Sequence, residues 1–288
     1  MKDLEYFGHT DIGTKRESNE DNYLCLDLAL PPAVSRTPAV LLMVADGIGG
    51  QVGGAVASSL AADALKEFLI RRTRELVEPP DWRALMAEAF REANRRIFDK
   101  ISEDINLTGM GTTLVAAVVW AGKAFVANVG DSRAYLIRED GIRQITEDHS
   151  WVAEQSRIRA LSDMEINRSP FRHMITRSLG FGTEVQMDSF ELELEAGDFV
   201  LLCSDGLYGA VTDQEIQKIF RKSEDPEIIC RKLLRTANHA GSRDNITAVV
   251  ARSGSPAKKV KHPSSETIRL PTPIPLRDAG SRSGGEKK

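Results

Sequence analysis

The chain has 288 residues, 41% hydrophobic and 28% charged, an ordinary globular composition with room for one sizeable core. Its net charge of −4 divides unevenly: from Ser253 onward eight Lys or Arg face three Asp or Glu, an excess of +5, which leaves −9 on residues 1–252. An acidic body argues against nucleic acid as the main partner, and three cysteines without a CxxC pair argue against a disulfide framework. The opening MKDLEYFGHTDIG has no apolar leader and no stretch nears the ~18 apolar residues of a membrane span, so a cytoplasmic monomer away from membranes is expected.

In chain order, Glu5–Thr10 reads as a strand, followed by a turn at Gly13 and the segment R-E-S-N-E-D, Arg16 to Asp21, leading into NYLCLDL. Residues 31–38 form a loop, and Val40–Ala45 is a short apolar run expected as a buried strand. A glycine-rich turn from Gly47 to Gly54 opens a helix with Val56, Leu60, Ala64 and Phe68 at helical spacing. After Pro79–Pro80, Asp81 caps a second helix. Its stripe of Trp82, Leu85, Met86, Ala89, Phe90, Ala93 and Ile97 should cover one side of a sheet by plain core packing. TTLVAAVVWA, KAFVANVG and SRAYLIR, separated by turns at Ala121–Gly122 and Gly130–Asp131, predict an antiparallel meander.

Residues from Asp148 to His173 are polar with weak periodicity and read as a helix followed by a mobile flap. Val185–Leu194 and Phe199–Cys203 return to strand. Thr212-Asp-Gln-Glu215 is a capping box, Asp225-Pro226 starts another helix, and Ile246–Ala251 is the closing strand. Residues 253–288 hold five of the twelve prolines and predict a disordered basic tail behind a folded domain of residues 1–252.

Four aspartates stand out: Asp21 in R-E-S-N-E-D, Asp46 in V-A-D-G-I-G-G, Asp205 in C-S-D-G-L and Asp244 in R-D-N-I-T. Three of them border an aliphatic run, and a strand end that hands an acid to a turn gathers carboxylates at a sheet rim. Gathered carboxylates repel unless a hard divalent cation such as Mg²⁺ or Mn²⁺ neutralises them. A dinucleotide loop is excluded, because Gly47, Gly49 and Gly53 miss the G-x-G-x-x-G spacing by one residue and Asp46 would repel a pyrophosphate. A two-metal nuclease would share the acids but needs a basic groove.

These motifs, with G-T-T-L, A-N-V-G-D-S-R-A-Y, I-T-E-D-H-S and I-T-R-S-L-G between them, occur in the order found in metal-dependent serine/threonine protein phosphatases. The chain resembles that family, called PPM or type 2C, in its compact bacterial branch, from about Tyr6 to Arg252. The resemblance implies an α+β fold, a four-layer αββα sandwich of two antiparallel sheets between helices. It implies a phosphatase that hydrolyses phosphoserine and phosphothreonine with a metal-activated water, opposing serine/threonine kinases, and two Mn²⁺ or Mg²⁺ per chain. By that resemblance Asp46 bridges the ions, the Gly47 carbonyl, Asp21, Asp205 and Asp244 complete the set, and Glu20 acts through a water. Arg16 holds the phosphate, as a planar guanidinium pairs with two oxygens at once.

Two positions depart from the wider family. Ile48 stands where many members carry a proton-donating histidine, which leaves the general acid open among a water, His149 and His173. Gly209 stands where many carry an aspartate for a third ion, so Asp131 alone of that pair remains and a weak third site is expected. The competing reading is a catalytically weak module that only binds a partner; retention of all four metal aspartates favours the enzyme.

Overall fold

The structure is a computed structural model that describes residues 4–158, 165, 169–171 and 174–254. Its strands are β1 (Glu5–Asp11), β2 (Asn22–Leu28), β3 (Ala39–Ala45), β4 (Gly47–Ile48), β5 (Gly111–Thr112) and β6 (Leu114–Trp120). They continue as β7 (Lys123–Val129), β8 (Arg133–Ile137), β9 (Ile142–Gln144), β10 (Asp188–Glu193), β11 (Phe199–Cys203) and β12 (Ile246–Arg252). The helices are α1 (Gly50–Arg74), α2 (Trp82–Glu103), α3 (Trp151–Ile158), α4 (Asp205–Tyr208), α5 (Asp213–Phe220) and α6 (Pro226–His239).

Two five-stranded sheets are formed, one in the order β1-β12-β11-β8-β9 and the other β10-β7-β6-β3-β2, with every pairing antiparallel. Both faces of the central strands are buried, which is why they read as continuous apolar runs rather than alternating ones. On β3, Leu41, Met43 and Ala45 pack toward α1 and α2. Val40, Leu42 and Val44 pack across the sandwich against Leu136, Leu202 and Val249 of the other sheet. A third cluster fixes α5 and α6 on the opposite outer face through Ile216, Phe220, Leu233 and Leu234. The result is helices, sheet, sheet, helices, as the α+β expectation has it. Each fully buried Leu, Ile or Phe contributes about 1.5–3 kcal/mol by leaving water, so the three cores hold the two sheets in fixed register at their rims.

Local chemistry sets the starts of α2, α5 and α6 as expected, whereas α1 begins at Gly50, inside the expected glycine-rich turn and without a side-chain cap. Asp81 accepts from the Ala84 amide, and Asp225 caps α6 ahead of Pro226. Thr212 and Glu215 close a reciprocal box at α5, with Thr212 N–H donating to Glu215 Oε2 at 3.0 Å. The whole predicted stripe of α2 is buried.

The meander is corrected. β6 and β7 do form a hairpin about Ala121–Gly122, but β7 and β8 lie in different sheets. β7 is already flanked by β6 and β10, so no edge is free for β8. The chain turns away at Gly130, whose φ of 106° is open to glycine, and crosses to pair β8 with β11. Strand β10 begins at Asp188, three residues later than expected. The helix expected after Asp148 is α3, while most of the flap and His173 lie outside the described residues. Ser253 is buried; its N–H donates to Asp198 O at 2.8 Å and its carbonyl accepts from Gly197 N at 2.6 Å, so the folded body includes it. Among the described residues no helix is long and apolar enough to cross a membrane.

Candidate functional site

Strand register brings the singled-out acids to one rim. Asn22 of β2 lies opposite Ala45 of β3, so Asp21, one residue before, and Asp46, one residue after, stand side by side. In the other sheet the Ser204 amide bonds to the Thr247 carbonyl, which puts Asp205 at the end of β11 near Asp244 ahead of β12. Asp131 follows the end of β7, whose Val129 pairs with Leu114 at the start of β6. β1 ends with Asp11 opposite Ile246, and this swings Arg16 against Asp244, Nη2 to Oδ2 at 2.7 Å.

A layer of uncharged side chains holds the acids. Asp21 Oδ2 accepts from Ser204 Oγ at 2.7 Å and Thr247 Oγ1 at 2.6 Å. The Asp46 amide donates to Thr113 Oγ1 at 3.0 Å, and its carbonyl accepts from Thr112 Oγ1 at 2.9 Å. Asn245 links both ends of the chain: its Oδ1 accepts from the Glu20 amide, while its Nδ2 donates to the Ile12 and Ser18 carbonyls. Ser58 of α1 donates to the Glu20 carbonyl at 2.6 Å. Asn245, Thr113, Ser204, Thr247 and Ser58 escaped the sequence reading. Four of them sit inside or beside the quoted motifs G-T-T-L, S-D-G-L and R-D-N-I-T, but what a neutral side chain holds depends on its tertiary neighbour.

The electrostatics are those of crowded acids short of positive charge. Burial pushes the Asp46 carboxyl well above the usual range, and Asp21, Asp205, Asp131 and Asp244 push it further. Asp21 rises to about 7, mainly through burial, although Thr247 and Ser204 bond to its charged form. Asp131 also rises to about 7, through burial and then Asp205 and Asp148. Glu20 is raised by burial, with Arg16 pulling the other way. Arg16 itself is held further up by its bond to Asp244. Each shift says that this rim is unfavourable as a set of bare anions.

Glycine is required where backbone meets acid: a Cβ on Gly54 would overlap Glu20 Oε2, and one on Gly47 would overlap the Gly54 carbonyl. The short β4–β5 pair, Gly47 opposite Thr112 and Ile48 opposite Gly111, fixes the turn after Asp46.

His149 is no proton donor to this rim. It is 1% exposed, its Nδ1 accepts from the Gly130 amide at 3.0 Å, and its Nε2 faces Asp188 Oδ2 at 3.1 Å. Burial lowers its pKa against the pull of Asp188. Its role is to tie the start of the flap segment to the β7–β8 crossing.

The donors fit a hard divalent cation: carboxylates and a backbone carbonyl, raised pKa values that a cation would reverse, and a buried Asp131 Oδ1 with no hydrogen-bond partner among the described residues. Among the described residues no three acid, imidazole or thiol groups close onto one point.

The sequence matches the family described as protein phosphatase 2C over residues 7–246. It is 35% identical over 245 residues to the serine/threonine phosphatase Stp of Listeria innocua, covering 84% of this chain and 92% of that protein. The crystal structure of Stp1 from Staphylococcus aureus superposes with a TM-score of 0.78 at 33% identity, over 88% of this chain and 96% of that one. The catalytic domain of the phosphatase PstP, solved with two manganese ions, does so with a TM-score of 0.72 at 33% identity, over 86% and 97%. Motifs, fold and relatives agree along the same span, and the chain belongs to the protein phosphatase 2C family.

Proposed function

We propose that this chain hydrolyses phosphoserine and phosphothreonine in proteins, with water activated at a pair of divalent ions held by the carboxylate rim. The observation that carries the reading is the gathering of Asp21, Asp46, Asp131, Asp205 and Asp244 along one rim, where mutual repulsion and burial call for a cation. Mn²⁺ or Mg²⁺, when bound, supplies an activated water and screens the charge of the phosphoryl group.

Asp46 has Asp21, Asp205, Asp131 and Asp244 as charged neighbours and would be the central ligand of the ions, with the Gly47 carbonyl beside it. Asp21, Asp205 and Asp244 would complete the set, and Glu20 would act through a water. Asp131 with Asp205 would hold a third ion weakly, since Gly209 offers no ligand. Arg16 binds the phosphate: its guanidinium is about half exposed and trades its bond to Asp244 for the substrate's oxygens. Ile48 has no proton to give and His149 is sealed away, which leaves water and His173 as the sources of the leaving oxygen's proton. Residues up to Gly254 form the catalytic unit, and the substrates are the products of serine/threonine kinases in the cytoplasm.

The test is phosphate release from a phosphothreonine peptide by the purified chain. Activity is expected to vanish in chelator and return with Mn²⁺; full activity in excess chelator overturns the mechanism.

A further inference from the structure

Asp131 sits where the chain crosses between sheets, and the residues around it are tied down mostly on one side. The Gly130 carbonyl accepts from Asn128 Nδ2 at 3.1 Å and from the His149 amide at 3.0 Å. Ser132 Oγ pairs with Thr113 Oγ1 at 2.7 Å. The Asp131 carbonyl is bound differently. It accepts from the Tyr208 hydroxyl at 3.1 Å, and Tyr208 ends the single turn of α4 that Asp205 begins.

The tyrosine is itself immobilised. The Arg133 guanidinium carbon lies 3.6 Å from the centre of its ring, a close cation–π stack. That guanidinium forks onto Asp148, Nε to Oδ1 at 3.0 Å and Nη2 to Oδ2 at 2.7 Å, and its Nη1 donates to the Tyr135 hydroxyl at 3.0 Å. Arg133 is two residues from Asp131, so the contacts close a ring: Asp131 along the chain to Arg133 at the start of β8, across to the Tyr208 ring, and back through its hydroxyl to Asp131. Burial, helped by the charges of Asp131 and Asp205, pushes the Tyr208 phenol far up, so it stays a donor.

We propose that Tyr208 is a positioning residue, whose hydroxyl pins the Asp131 segment to the Asp205 turn and so sets how the two carboxylates meet a divalent ion. The inference rests on the reading that this rim binds divalent cations. Because the aromatic ring keeps its stack on Arg133 when the oxygen is removed, Tyr208→Phe isolates the hydroxyl.

The experiment is calorimetric titration of full-length protein with Mn²⁺, without substrate, for wild type, Tyr208→Phe and the matched control Tyr135→Phe. The control removes another hydroxyl bonded to Arg133 but leaves the Asp131 carbonyl paired. Tyr208→Phe is expected to weaken the weakest measurable Mn²⁺ site by about tenfold, the lower end for outer-shell partners of a metal. The Mn²⁺ concentration for half-maximal activity should rise in parallel, with kcat at saturating Mn²⁺ nearly unchanged, and Tyr135→Phe should bind as wild type does. An unchanged isotherm for Tyr208→Phe, or equal weakening by both variants, overturns the proposal while leaving the phosphatase reading intact. Absence of Mn²⁺ binding by the wild-type protein overturns that reading and the proposal with it.

Discussion

Asp46 is the residue in which fold and function conflict most directly, because burial and four neighbouring carboxylates all act against its charge. Asp46→Asn keeps the shape and removes the charge. Turnover at saturating Mn²⁺ is expected to fall by about 10³-fold, corresponding to several kcal/mol of lost metal-centred stabilisation, while the chelated variant melts no lower than wild type. Wild-type turnover in this variant would remove Asp46 from the site. The pH dependence has a definite sign. Asp21 and Asp131, raised to about 7, hold protons that a cation must displace, so Mn²⁺ affinity should drop between pH 8 and pH 6. In chelator the same shifts favour the folded state at lower pH: unfolded carboxyls titrate near ~4, so stability is lost as pH rises through about 7. His149 acts oppositely, its lowered pKa making its contribution fall away below the ordinary value of 6.5. Melting in chelator at pH 8 and pH 7 checks this; a higher melting temperature at pH 8 contradicts it.

At the scale of elements, the site depends on a few side chains that join one strand end to another. Asn245 holds the Glu20 amide and the Ile12 and Ser18 carbonyls. Asn245→Ala leaves those groups to find water, each at about 1–3 kcal/mol if buried, and should lower both the melting temperature and Mn²⁺ affinity. Thr212→Ala at the cap of α5 is the contrasting case. It should cost about 1 kcal/mol with kcat and Mn²⁺ dependence unchanged, as its box serves only the outer helix layer. A change in Mn²⁺ dependence there would mean that α5 is coupled to the rim. The two elements also differ in how far the sequence reveals them. A capping box is a contact within four residues, so Thr212 and Glu215 are legible in order. Asn245 pairs with Glu20 across 225 positions, and nothing local in R-D-N-I-T names its partner.

For the whole molecule, the sandwich places five strand ends from two sheets at one edge, while three apolar clusters keep that edge rigid. Arg252 ends the last described strand opposite Phe199 of β11, and Ser253 after it bonds to the Gly197 turn. A chain ending after Gly254 should therefore melt within ~2 °C of full length, the shift of well under 1 kcal/mol, and keep its activity on a small phosphate ester. Unfolding or loss of that activity would move the boundary of the catalytic unit.

The sequence by itself determined whatever rests on neighbours: the helices and their caps, the apolar strands, and the acids at strand boundaries that pointed to a divalent cation. It also carried the ordered motifs by which the family is recognised. Tertiary structure alone decided which strand lies beside which. The Gly130–Asp131 turn suits a hairpin and a crossing between sheets equally well, and only the occupied edges of β7 settle the matter. The same holds for His149, a candidate proton donor by sequence that packing seals between Gly130 and Asp188. Long-range pairing depends on the competition of many strands for a few edges, and that competition is resolved only when the whole core packs.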